Sequence, residues 1–308
     1  MVVYHGLDDP RLRPLPAAVA VGIFDGLHLG HRRILDRLRR LAGRRGLRSL
    51  VLTFDPHPER VLGLRSVPMI TTLDQRLDLL REAGADAAVV IPFDRAFARL
   101  DGPAFVDGVL GRALAAREVV VGRRFRFGRN RRCGTAELGR LGRQAGIGVH
   151  VVPPVVRNGR TVSSTLVRRL LGQGRTGEAA RLLGRPYEVS GRVVRGRQRG
   201  RRLGFPTANL ETANEILPPG VFISETVRGG RAFPSVTSVG TNPTFGPGHP
   251  LSVETLLLGF HGPLYGAAIT VRFLGKIRPT RIFGGAEALA AAIGRDVATA
   301  RAWFDRRG

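Results

Sequence analysis

From Ala17 to Pro154 short apolar runs alternate with stretches of helical periodicity, a pattern that few folds accept. Residues 17–21, 49–53, 87–91, 118–121 and 149–152 read as buried strands, being short and mainly aliphatic. Between them, 32–42, 73–83, 103–114 and 135–145 carry apolar residues at helical spacing, as Leu35, Leu38 and Leu41 illustrate. This alternation predicts an α/β doubly wound parallel sheet with helices on both faces. Ligands of such sheets bind beyond the carboxyl ends of the strands, so chemistry is expected in the loops after Val21, Thr53 and Val121.

The texture then changes. Residues 163–183 are helical and stop at the turn Gly184-Arg185-Pro186. After Tyr187, the segments 189–194, 221–226, 235–239, 252–260 and 268–273 alternate or run apolar between Gly/Pro-rich turns. They predict a compact antiparallel β-barrel domain, followed by a C-terminal helix over 286–304. The 308 residues are accordingly read as two domains, 1–184 and 185–308.

Charge narrows the function classes. Lys+Arg is 49 against 24 Asp+Glu, a formal balance of +25, and Lys276 is the sole lysine. A Walker A loop is excluded, because Gly275-Lys276-Ile277 lacks the required hydroxyl residue. Cys133 is the sole cysteine, so an intrachain disulfide and a multi-cysteine metal site are excluded, and a reducing compartment is expected. Residues 1–16 contain no apolar signal-peptide core, and no run reaches the roughly 18 apolar residues of a membrane span. A cytoplasmic protein without membrane partners is expected. The arginines are spread along the chain, and aromatics are only 6%, so nucleic acid is not read as the primary ligand.

After the first strand comes Gly22-Ile23-Phe24-Asp25-Gly26-Leu27-His28-Leu29-Gly30-His31, and then a helix. His28 and His31, three apart at a helix N-terminus, point to an anion site, because free N–H groups and the helix dipole favour negative charge there. Imidazole donors aimed at phosphorus would stabilise the charge that develops during attack. The bland alternative is a Gly-rich turn with two exposed histidines. Ser163-Ser164-Thr165 opens a later helix with Arg168 one turn on, which is either a second phosphate cradle or an ordinary N-cap. In the second domain, Thr207 and Asn209 offer hard oxygens suited to magnesium, although alone Pro206-Thr207-Ala208-Asn209 reads better as a Pro-Thr turn with an Asn cap. Glu254, a carboxylate in the apolar strand 252–258, is either a general base or a charge on a solvated face.

Taken together these segments resemble the bifunctional prokaryotic riboflavin kinase/FAD synthetases. The resemblance rests on Gly22–His31, Thr53-Phe54-Asp55-Pro56-His57-Pro58, residues 121–128, Ser163–Arg168, residues 183–187, Gly204-Phe205-Pro206-Thr207-Ala208-Asn209, residues 240–245, Val253-Glu254 and Leu264-Tyr265-Gly266. It covers roughly residues 17–304 and implies two activities, phosphorylation of riboflavin to FMN and adenylylation of FMN to FAD. ATP, riboflavin and FMN would be the substrates and Mg2+ the metal. By resemblance His28 and His31 contact the ATP phosphates; Gly22, Phe24, Asp25, Gly30 and Asp55 belong to the nucleotide pocket. Ser164, Thr165 and Arg168 hold the leaving pyrophosphate. In the kinase, Gly196, Gly204 and Pro206 approach ATP, Thr207 and Asn209 ligate the metal, and Glu254 is the base for the ribityl hydroxyl. Arg124, Phe125, Phe127 and Arg278 are implied at the flavin. Three positions depart from the family pattern: Arg124 replaces an Asp or Asn, Thr280 a frequent glutamate, and Phe222 a common tyrosine. Two other readings stay open, a flavin kinase with a slow adenylyltransferase module and a basic nucleic-acid-binding protein on a nucleotidyltransferase scaffold.

Overall fold

The computed structural model describes residues 1–63, 66–196, 200, 203–241 and 251–307. Of the segments read above, 197–199, 201–202 and 242–245 lie outside the described residues. The chain forms two compact units, Met1–Ser164 and Thr165–Gly308.

The first unit is built on a six-stranded parallel sheet of order β1-β4-β3-β2-β5-β6. Its strands are β1 (Val2–His5), β2 (Ala17–Val21), β3 (Arg48–Asp55), β4 (Ala87–Pro92), β5 (Ala116–Gly122) and β6 (Gly148–Val152). All of β2 is buried, and its alternate residues serve two cores. Val19 and Val21 pack with Phe105, Val109, Leu138 and Leu141 on one face. Ala18 and Ala20 pack with Leu35, Leu38, Leu77 and Leu80 on the other. The leucines of the second face come from α1 (Leu29–Arg45) and α3 (Leu73–Glu82), and each fully buried leucine contributes about 2 kcal/mol relative to exposure. A short α2 (Pro58–Val61) follows β3, and α5 (Thr135–Gln144) precedes β6.

Two details differ from the sequence reading. The predicted helix 103–114 is one α-turn, α4 (Gly102–Ala104), running into a wide π-helix, Phe105–Ala113, in a segment where Gly108 and Gly111 weaken α propensity. The edge strand β1 pairs in parallel with β4, from Val2↔Ala87 to His5↔Val90, and was not among the predicted strands.

Because β2 lies between β3 and β5, the chain order reverses beside it, and this is the switch point where doubly wound sheets bind ligands. A hairpin, β7 (Val156–Arg157) and β8 (Arg160–Thr161), turns at Asn158-Gly159, both at positive φ, and leads to Ser164.

The helix α6 (Ser164–Gly172) starts at the last residue of the first unit; the rest of it, α7 (Thr176–Leu183) and a closed barrel of order β10-β13-β12-β11-β14-β9 form the second. Its strands are β9 (Tyr187–Val194), β10 (Ala208–Thr212), β11 (Gly220–Arg228), β12 (Arg231–Thr241), β13 (Leu251–Leu257) and β14 (Ala268–Arg278). β10, between β9 and β13, was not among the predicted strands. The C-terminal helix (Ala286–Asp305) packs Ala300, Val297 and Trp303 against Val221, Ile223 and Val236 of the barrel. Inside the barrel five hydroxyls, all fully buried, close a ring of hydrogen bonds through Ser224, Ser235, Thr226, Thr255 and Thr237.

Candidate active sites

In the first unit β2 ends at Val21 and delivers the histidine loop to the switch point. His28 is the N-cap of α1; its Nδ1 accepts the His31 backbone N–H at 3.3 Å, satisfying one donor of the helix's first turn. The His28 and His31 rings stack with centroids 3.7 Å apart, and Phe24 meets His31 edge-on at 5.3 Å. Gly30 suits this stack, since a Cβ there would crowd His28 Cε1 at 3.0 Å. The loop therefore presents two imidazoles at a helix N-terminus, an arrangement suited to phosphate.

The acids of this site have distinct tasks. Asp25 is buried, and its carboxylate accepts the Ile70 and Thr71 backbone N–H groups at 2.9 and 3.1 Å, which fastens the segment before α3 to the histidine loop. Its backbone carbonyl accepts the Ser164 hydroxyl at 3.0 Å, so the histidine loop and the first residue of α6 meet directly. Asp55, last in β3, is 44% exposed at the side chain and pairs at 3.1 Å with Arg76, which is fully buried. Burial pulls the Arg76 guanidinium below its ordinary value, while Asp55 and Asp25 push it back up. Arg76 also donates to the Ile23 carbonyl at 3.1 Å. Sequence reasoning missed Arg76, because an arginine in the first turn of an amphipathic helix reads as a solvated charge.

After β5, Phe125 is half-buried and stacks on the buried Phe127 at 5.6 Å, while Arg124 is exposed. Thr165 and Arg168 follow Ser164 in the first turns of α6.

The second unit holds a cavity of about 730 Å3 against the barrel wall. Gly196, Thr207, Asn209, Glu254 and Arg278 line it, five of the residues read from the sequence; Gly204 and Pro206 lie in the segment leading to Thr207. Strand pairing produces the cluster: Asn209 on β10 stands opposite Glu254 on β13, and Thr207 Oγ1 donates to Glu254 Oε2 at 3.3 Å. Gly196 lies so close to the Asn209 amide that a Cβ would come within 2.1 Å of Nδ2. The oxygen donors here are a hydroxyl, an amide and a carboxylate, a set that fits a hard cation such as Mg2+ completing its shell with phosphate and water. Among the described residues no three His, Cys, Asp or Glu side chains converge as a metal cluster.

Arg278 faces this cavity with its fork engaged. Nε and an Nη donate to Asp296 of the C-terminal helix at 2.9 and 2.7 Å, and the other Nη donates to the Pro279 carbonyl. Thr280 lines the cavity, whereas Phe222 is fully buried and edge-on to Phe273 at 5.1 Å.

Residues 12–166 match the FAD synthetase family and residues 183–304 the riboflavin kinase family. The chain is 33% identical over 308 residues to the bifunctional riboflavin kinase/FMN adenylyltransferase of Listeria monocytogenes, covering 98% of this chain and 97% of that protein. It is 35% identical over 308 residues to the Escherichia coli (strain K12) protein of the same description, covering 99% and 98%. A crystal structure described as a macrolide-efflux protein from Streptococcus pneumoniae is 27% identical and superposes with a TM-score of 0.88, covering 98% of this chain and 99% of that one. The efflux in that description is said of that protein; among the described residues no helix here is long and apolar enough to cross a membrane.

Proposed function

We infer the roles of these residues from the premise that the chain belongs to the bifunctional riboflavin kinase/FMN adenylyltransferase family. It phosphorylates riboflavin to FMN with ATP and adenylylates FMN to FAD with release of pyrophosphate. The observation that supports this division of labour is that the stacked pair His28 and His31 lies in the first compact unit and the cluster Thr207, Asn209 and Glu254 in the second.

In the adenylyltransferase, an FMN phosphate oxygen attacks the α-phosphorus of ATP as the α–β bridging bond breaks. Phosphate is already a competent nucleophile, so this transfer needs positioning and charge neutralisation more than a base. His28 and His31 supply donors at the helix N-terminus; Gly22, Phe24 and Gly30 shape the loop beside them, and Asp25 holds it. Asp55 orients the nucleotide, Ser164, Thr165 and Arg168 receive the leaving pyrophosphate, and Phe125, Phe127 and Arg124 lie beside the flavin.

In the kinase, Glu254 takes the proton from the ribityl 5′-hydroxyl while its oxygen attacks the γ-phosphorus and ADP departs. Gly196, Gly204 and Pro206 bring backbone to the ATP phosphates, and Thr207 with Asn209 would hold Mg2+. That ion, when bound, neutralises developing phosphate charge. Arg278, through Asp296, fixes the wall of the flavin site. The functional domains are then 1–184 and 185–308. The compact units divide earlier, after Ser164. The enzyme works in the cytoplasm on small-molecule substrates, with no nucleic acid as primary ligand.

Incubation with riboflavin, ATP and Mg2+, followed by separation of the flavins, tests this. FMN and FAD should both accumulate. FMN without FAD would leave a flavin kinase with a vestigial first module, and no flavin turnover with salt-sensitive RNA binding would favour the nucleic-acid reading.

A further inference from the structure

The largest of the fully buried side chains among the described residues is a charged one, Arg76. Its Nε finds no hydrogen-bond partner there, and the carboxylate it contacts, Asp55, is itself nearly half exposed, while Asp25 acts on it without contact. Taking a cation out of water is unfavourable unless it is fully paired, and an apolar side chain of similar volume is often as stable or more so. Packing therefore does not account for an arginine at this position.

Its two bonded partners are informative. One Nη donates to the Ile23 carbonyl, which opens the histidine loop after β2 and also accepts the Thr53 hydroxyl at 3.0 Å. The other Nη donates to Asp55 Oδ1, at the end of the neighbouring β3. Asp25, inside the histidine loop, grips the backbone at Ile70 and Thr71, immediately before the N-cap Thr72 of the helix that carries Arg76. A second tie, from the Gly26 N–H to Thr71 Oγ1 at 3.2 Å, closes the circuit. The loop that bears both histidines is thus held twice, through Asp25 by the segment leading into α3 and through Arg76 by α3 itself.

We propose that Arg76 is a positioning residue of the FMN adenylyltransferase site, locking the carboxylate of Asp55 in register with the histidine loop so that one oxygen stays directed to the nucleotide. This rests on the functional reading above, in which Asp55 orients ATP. The planar guanidinium suits the task, because it fixes two acceptors, one in the loop after β2 and one at the end of β3, in one geometry, whereas a lysine ammonium is a point donor on a flexible stem. Arg76 does not touch the reacting phosphorus; it acts through Asp55 and Ile23.

The second unit supplies an internal control, since both activities are assayed on one chain. Arg76→Met keeps the volume and removes the fork. In this variant kcat/KM for ATP in FAD formation should fall on the order of 100-fold, the size of effect expected from misplacing a substrate by about 1 Å. KM for FMN, conversion of riboflavin to FMN and the melting temperature should not change. Arg76→Lys should lie between Arg76→Met and the wild type. Unchanged FAD formation in Arg76→Met overturns the proposal. If Arg76→Met melts lower, Arg76→Lys decides: native stability with an ATP-specific defect supports positioning, while native stability with native FAD formation shows the arginine to be structural. A wild-type chain that forms FMN but no FAD overturns the adenylyltransferase reading, and this inference with it.

Discussion

Neighbouring residues of β13 face different environments, which is how one strand both builds the barrel and carries the proposed base. Val253 and Thr255 are buried, while Glu254 turns to the cavity beside Thr207. Glu254→Gln keeps the shape and the hydrogen bond to Thr207 but cannot take up the ribityl proton. It should lower FMN formation by about 10²–10⁴-fold while FAD formation from supplied FMN continues. His31→Ala should do the reverse, lowering FAD formation by roughly 10²–10³-fold through loss of a preorganised donor while FMN formation continues. Both are read by timed separation of the flavins, and equal loss of both activities in either variant would count against separate sites. At this scale the candidate residues stood out in the sequence, because histidines at a helix start and a carboxylate in an apolar strand break local rules. Arg76 and the role of Asp25 were not: each obeys the local pattern, and only the partners brought from 45 or more residues away for Asp25, and 21 away for the Arg76–Asp55 pair, show what they do.

Elements were legible where their period was sustained. The leucines of α1 and the wholly apolar β2 leave little choice of structure. The strand β1 escaped because it is short and lies at the edge of the sheet, with Val2 nearly half exposed. The strand β10 escaped because Asn209 and Glu211 give it a polar look, and its pairing with β9 and β13 is what fixes it. The barrel interior holds a further element-scale feature, the closed ring of five hydroxyls. Each hydroxyl has one proton to donate, so five hydroxyls make five bonds only when all are present. Thr226→Val keeps the shape and removes one member, leaving Ser235 and Thr255 each short of a partner in a dry environment. The change should destabilise the barrel by about 1–3 kcal/mol, measured as a shift in the urea midpoint of FMN-forming activity and circular dichroism. A midpoint equal to the wild type's would mean that the ring is dispensable.

At the scale of the whole molecule the balance of +25 acts on every anion that approaches, yet neither proposed site depends on it. The proposed phosphate-handling residues include two imidazoles, His28 and His31, and the oxygen donors of Ser164, Thr165, Thr207 and Asn209, with Arg168 the one arginine. The surrounding arginine surface therefore concentrates charged substrates without selecting among them. Raising ionic strength from about 0.01 M to about 0.15 M shortens the screening length from roughly 30 Å to 8 Å, which weakens such attraction and leaves short hydrogen-bonded contacts largely intact. The two reactions separate the effects, because riboflavin is uncharged while ATP and FMN are anions. Over that salt range KM for ATP and for FMN should rise, KM for riboflavin should stay level, and kcat of both reactions should change little. If KM for riboflavin rises in parallel with the others, salt is acting on the fold and not on encounter. If none of the three moves, the arginine excess plays no part in substrate capture.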